Sequence, residues 1–92
     1  MPELRITCVT KPDRFSTHER IASVGVENAP GRLSVADVIR FIRSQSYAFY
    51  TLVYGQKAYV AVVDVPGRAS YIRTHADGTW NDNLLALPEC VG

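Results

Sequence analysis

Apolar and polar residues alternate from Leu4 to Thr10, with Leu4, Ile6 and Cys8 on one face and Arg5 and Thr7 on the other, which predicts a strand. Lys11-Pro12-Asp13 ends it, because Pro12 cannot donate to a ladder and Asp13 favours a turn. A polar loop from Arg14 to Glu19 holds one aromatic, Phe15. A second strand is predicted over Arg20 to Glu27 on Ile21, Val24 and Val26, and Gly25 within it marks a bulge or a close backbone approach. Asn28-Ala29-Pro30-Gly31 forms a turn.

The period then lengthens. Val35, Val38, Ile39 and Ile42 follow i, i+3, i+4, i+7 spacing and make one apolar stripe, with Asp37, Arg40 and Ser44 opposite. Ser34 is the N-cap, Asp37 stands three residues on as in a capping box, and Arg43 suits the C-terminal end of the dipole. This helix ends near Gln45. Alternation returns over Tyr47–Tyr54 and Lys57–Val65, joined by a Gly55-Gln56 turn, and a last strand covers Ala69–Thr74 between Pro66-Gly67 and Asp77-Gly78 turns. From Trp80 the tail reads as an irregular arm or short helical turn whose Leu84, Leu85 and Leu87 pack on the body. The order β-β-α-β-β-β plus a C-terminal arm predicts an α+β fold, an antiparallel meander sheet packed against one helix, with residues 1–92 as a single domain.

The meander strands are apolar on both sides. Phe49 and Val53 oppose Ala48, Tyr50 and Leu52; Tyr59, Ala61 and Val63 oppose Val60 and Val62. A sheet with one wet face alternates more cleanly, and a single helix covers only one face. The second face must therefore meet the arm, another subunit or a ligand, and a homodimer through that face is the favoured expectation.

Composition narrows the class. With 47% hydrophobic and 21% charged residues the chain is a folded domain and not a disordered one. A net charge of +1 is no signature of a dedicated polyelectrolyte binder. Pro2, Glu3, Leu4 and Arg5 follow Met1 in place of a signal-peptide core, and no apolar run, Tyr47 to Leu52 broken by Thr51 included, is long enough to span a membrane. Two cysteines outside any CxxC fit reduced thiols in a cytoplasmic protein, a setting that disfavours a Cys8–Cys90 disulfide.

Chemistry-bearing residues are few. Cys8, His18, His75 and Cys90 are zinc-ligand types, but no pair has the short local spacing that lets one turn present two ligands, so no metal or other cofactor is expected. A thiol nucleophile paired with His18 or His75 lacks an elbow or helix N-terminus to activate it. No GxGxxG or Walker pattern occurs. Two polar loops stand out as a candidate binding site: His18 and Glu19 in the first, Arg73, His75, Asp77, Trp80 and Asn83 in the second. If the loops meet, a carboxylate beside an imidazole could orient a general base for a small hydrolase or metal-dependent enzyme. Tyr47, Tyr50, Tyr54, Tyr59 and Tyr71 cluster in the meander, and with Arg32, Arg40 and Arg43 they offer an alternative, nucleic-acid-associated reading in which rings stack on bases.

Ile6-Thr7-Cys8-Val9 with Lys11-Pro12-Asp13, His18-Glu19-Arg20-Ile21 with Val24-Gly25, Tyr47-Ala48-Phe49-Tyr50-Thr51 with Gly55, Tyr71-Ile72-Arg73-Thr74 with Asp77-Gly78, and the ending Asn83 to Cys90 together resemble a bacterial family of small proteins catalogued as a domain of unknown function. The likeness covers nearly the whole chain and is most specific from Asn83 to Cys90. Leu33 stands where the family often has an aromatic, and Val26 where a second glycine is common; the latter implies a more ordinary strand here. The resemblance implies a stand-alone, compact bacterial domain and transfers no activity. The reading that follows is a non-catalytic binding or protein-interaction module, with an unidentified protein or small molecule as a further partner and no membrane.

Overall fold

The computed structural model describes residues 2–11, 20–27, 31–76 and 78–90. Its elements are β1 (Glu3–Thr10), β2 (Ser23–Val26), β3 (Arg32–Ser34), α1 (Val35–Arg43), β4 (Ala48–Val53), β5 (Gln56–Val63), β6 (Tyr71–Ala76), β7 (Thr79–Asn81) and α2 (Asn83–Ala86). The strands form one seven-stranded sheet in the order β3-β2-β1-β4-β5-β6-β7. The α+β class holds, but the sheet is no simple antiparallel meander, because β4 lies parallel to β1. Parallel neighbours need a crossover rather than a tight turn, and α1 supplies it. Ser34 ends β3 and caps the helix in the same stroke, its Oγ accepting from Asp37 N at 3.1 Å. The helix crosses the sheet and delivers β4 to the far side of β1. Strands β3 and β7, three residues each, are too short to show period two in the sequence.

The helix closes with Gln45 in the left-handed region at φ 59°. Gln45 N donates to Ile42 O (3.1 Å) and Ser46 N to Phe41 O (3.0 Å), the paired bonds of a Schellman end. The predicted stripe is the buried face: Val38 is fully enclosed, and Val35, Ile39 and Ile42 pack on Ile6, Val24, Phe49, Val60 and Ile72. The tail leucines join the same core, as the sequence implies. Leu84 is fully buried, and its backbone N donates to Thr74 Oγ1 at 3.3 Å. Thr74, itself buried, donates to Asn81 Oδ1 at 2.6 Å, so this polar group inside the core is satisfied. Both helices therefore lie on one side of the sheet.

Two local details correct the sequence reading. The β4–β5 turn is Tyr54-Gly55, one residue earlier than expected, since Val53 pairs with Gln56. Both turn residues have positive φ (50° and 77°), the type I′ geometry that matches strand twist. In β1, Ile6 pairs with Val26 and Val9 with Val24, so Thr7 and Cys8 together oppose Gly25 in a bulge. The extra residue shifts the alternation: Ile6 and Val9 are core residues, and Cys8 turns away from the face it shares with Leu4 and Ile6 in a regular strand.

That turn places Cys8 over Gly25 and against the arm, where it forms a disulfide with Cys90. This overturns the expectation of two reduced thiols. The sequence offers that pairing without deciding it, because it depends on the arm running beside β1: Val9 N donates to Pro88 O (3.1 Å) and Cys90 N to Val9 O (3.0 Å), with a parallel bridge between Val9 and Glu89. Gly25 is what leaves room. A Cβ there would stand 2.4 Å from Cys8 Sγ and 3.3 Å from Cys90 Sγ.

Gly25→Ala is accordingly expected to destabilise the oxidised protein by about 1–3 kcal/mol through overpacking, measured by denaturant unfolding without reductant. Tyr54 is 99% exposed and makes no packing contribution that would be lost. Tyr54→Asn should therefore stabilise the hairpin by roughly 0.5 kcal/mol or more, because Asn tolerates positive φ better; an unchanged or lower unfolding midpoint would contradict this.

Candidate functional site

With both helices on one side, alternation sends Ala48, Tyr50 and Leu52 of β4, Lys57, Tyr59, Ala61 and Val63 of β5, Tyr71, Arg73 and His75 of β6, and Trp80 of β7 to the other. Among the described residues no element covers this side. Leu52 (38%), Tyr59 (37%) and Trp80 (47%) are large hydrophobic side chains left open to solvent on it.

Strand register aligns these residues. Tyr50 pairs with Tyr59, Tyr59 with His75, and His75 with Trp80, so four rings form one row across four strands. Tyr50 and Tyr59 meet edge-on with centroids 6.5 Å apart, and His75 and Trp80 do so at 5.8 Å. Such contacts fix the rings and leave apolar surface outward. In the next row Ala61 pairs with Arg73. Because Ala61 is short, the sheet is indented there, and a shallow cavity of about 240 Å³ opens between Ala61, His75, Gly78 and Trp80.

Cations border the row, each with a carboxylate. Lys57 Nζ lies 4.6 Å from the Tyr50 ring centroid and 5.0 Å from that of Tyr59, and donates to Glu3 Oε1 at 2.9 Å. Tyr59 OH donates to the other oxygen, Glu3 Oε2, at 3.0 Å. The hydrogen bonds from Lys57 and then Tyr59 hold the Glu3 carboxyl below the usual carboxylate range, and the Glu3 carboxylate in turn raises Lys57. At the other end Arg73 lies 5.9 Å from the Trp80 ring centroid and donates to Asp82 Oδ1 at 3.2 Å. The face is thus aromatic, with its charges matched in opposite-sign pairs.

Of the residues singled out from the sequence, the fold brings Arg73, His75 and Trp80 together on this face. Asn83 serves the turn into α2: its backbone N donates to Asn81 Oδ1 at 3.0 Å and its side chain donates to Gln56 O at 3.4 Å. His18, Glu19 and Asp77 lie outside the described residues. Sequence reasoning left Glu3, Lys57 and Ala61 out of the site. Alternation alone places Lys57 and Ala61 on one side of β5, but the partners across the strands depend on register.

The tyrosines do not act together. Tyr50, Tyr59 and Tyr71 belong to the open face, Tyr47 meets Phe41 of α1 edge-on at 5.3 Å, and Tyr54 sits in a turn. Arg40 and Arg43 ride on α1, across the sheet from the ring row, paired with Asp37 (3.2 Å) and with Asp64. Ser70 also donates to Asp64, and that bond and then the charge of Arg43 keep the Asp64 carboxyl low. The zinc and thiol-nucleophile arrangements considered for Cys8 and Cys90 are not formed, since their sulfurs are bonded to each other. Among the described residues no group of three His, Cys, Asp or Glu side chains is placed to hold a metal ion. No described helix is long and apolar enough to cross a membrane.

The sequence family described as "Protein of unknown function (DUF3892)" matches residues 5–88. No curated protein and no solved structure matches the chain.

The Glu3 carboxyl should titrate below a free glutamate, and below its value in Lys57→Met, when followed by carbon NMR. A depressed folded-state value means that the pair's contribution is complete above the ordinary carboxylate range and is lost as pH falls through the folded value. Equal midpoints in the two proteins would show that Lys57 does not hold Glu3.

Proposed function

We propose, for a chain that belongs to the DUF3892 family of proteins of unknown function, that it is a non-catalytic binding and protein-interaction module. It works through the open face of the sheet, and its first partner on that face is a second copy of itself. The observation that carries this reading is the row Tyr50, Tyr59, His75 and Trp80, which leaves large hydrophobic side chains on a side that no element covers among the described residues. Contiguous apolar surface of this kind marks interaction sites.

Charge favours a like partner over a nucleic acid. Among the described residues Glu3 neutralises Lys57, Asp82 neutralises Arg73 and Glu27 pairs with Arg5 beside Tyr50, so these pairs offer no excess cation to release counterions from phosphates. Arg40 and Arg43, on the helix side, do not form one surface with the stacked rings. A face carrying both signs and no net charge can meet its own copy across a two-fold axis, the commonest symmetry of small oligomers. Geometry also supports two sheets packing at about 10 Å through interdigitated side chains, with the Trp80 ring of one copy set against the Ala61 indentation of the other. The flat footprint of β4 to β7 is only about 400 Å² by strand spacing and rise. That is small against the ~800 Å² per partner of a standard stable interface, so the dimer dissociates on dilution.

Catalysis has less support. Among the described residues the ring contact of His75 is with the Trp80 indole and not with a carboxylate or nucleophile. The Cys8–Cys90 bond also removes the reduced thiols on which a cytoplasmic setting rested.

Sedimentation equilibrium over a wide concentration series tests the proposal. A monomer–dimer equilibrium is expected, and Trp80→Ala should weaken it by roughly tenfold or more, as truncation of an aromatic anchor does, with little change in thermal stability. A strictly monomeric protein at every concentration would remove the self-association. Steeply salt-dependent binding to single-stranded nucleic acid would replace it with the stacking alternative.

A further inference from the structure

The C-terminal arm occupies a place in the sheet that another strand vacates. β4 pairs with β1 only along Glu3, Leu4 and Arg5. Beyond Arg5 that edge of β1 is taken by Pro88 to Cys90 through Val9 N to Pro88 O and Cys90 N to Val9 O. The Cys8–Cys90 bond holds the arm there, and both cysteines are only half-buried, so a small thiol can reach them.

We propose that Cys8 and Cys90 are a redox-active pair, a thiol–disulfide latch that sets whether the arm lies on β1. The reductant is a dithiol. One of its thiolates attacks a sulfur of the Cys8–Cys90 bond, forming a mixed disulfide and releasing the other cysteine as a thiolate that takes up a proton. The second dithiol sulfur then displaces the remaining cysteine in the same way. The dithiol leaves oxidised as its own disulfide, and two electrons and two protons have passed to Cys8 and Cys90.

The consequence follows from what surrounds each sulfur. Unbonded thiols must stand farther apart than bonded ones. Cys8 cannot retreat, because β1 is paired with β2 on both sides of it, through Ile6–Val26 and Val9–Val24. Cys90 is attached to β1 through its own backbone N and the carbonyl of Pro88 alone among the described backbone bonds of the arm. The displacement is therefore taken by the arm, which lifts from Val9 and bares a short stretch of strand edge. Leu84, buried in the core and bonded to Thr74, keeps α2 in place and limits the motion to the residues after it. The latch is independent of the open face, so it can fail or hold without deciding the dimer.

Hydrogen exchange of the intact protein, fully oxidised and then treated with dithiothreitol, tests the latch. Complete reduction is verified by a two-dalton mass gain and by alkylation of both thiols. The amides of Val9 and Cys90 are expected to exchange at least tenfold faster after reduction, while those of Tyr59, Val60 and Leu84 are unchanged. Cys90→Ser without reductant should match the reduced wild type. Unchanged protection at Val9 in the reduced protein overturns the proposal. So does loss of protection throughout the sheet, which would make the bond a structural staple, and so does a protein whose thiols stay free in oxidised glutathione.

Discussion

The one sheet has two antiparallel halves, β3-β2-β1 and β4-β5-β6-β7, joined along a parallel seam of three residue pairs, Glu3–Ala48, Leu4–Phe49 and Arg5–Tyr50. Everything else in the molecule is arranged around the shortness of that seam. The crossover through α1 creates it, and the side chains of Ile6, Phe49 and Val38 close over it on the helix side. Where β4 leaves β1, the exposed strand edge would cost unpaired backbone groups. Leu84 and the arm fill the space, and the disulfide fastens the arm to the one strand that both halves share.

The same arrangement explains why one side of the sheet is left open. A nine-residue helix and a single turn of α2 supply all the covering that the described chain offers, and both are drawn to the side where Phe49, Val60, Ile72 and Thr74 point. The opposite side keeps the bulky rings that strand propensity favours. There they gain from one another across the strands instead of from a covering layer. Glu3, on the far strand of the seam, reaches across to Lys57 and Tyr59, so the chemistry of the open face is tied to the pairing that holds the halves together.

Much of this was legible in order but not in arrangement. The helix, from its Ser34 cap to its stripe, is a local object whose bonds lie within a few residues, and it appears in the structure nearly as its spacing implies. Gly25 was readable as a bulge or close approach; it makes the close approach, and the bulge lies opposite it in β1, while Val26 pairs with Ile6. Strands β3 and β7 were not legible, because three residues carry too little pattern. Of the binding-site residues, Arg73, His75 and Trp80 were found as a polar, aromatic stretch, whereas Glu3 and Lys57 join them from distant positions that no local spacing connects.

By itself the sequence determined the α+β class, the helix and its buried stripe, the two-sided apolar character of the central strands, and the attachment of the tail leucines to the core. These depend on periodicity and on transfer of apolar groups from water, which act along the chain. Tertiary structure alone decided that β4 runs parallel to β1, that one extra residue at Thr7-Cys8 turns a cysteine out of the core face, that Cys8 meets Cys90 across 82 positions, and that four rings line up in register. Each is a pairing between segments remote in sequence, and a shift of one residue in any of them sends every side chain of a strand to the other face.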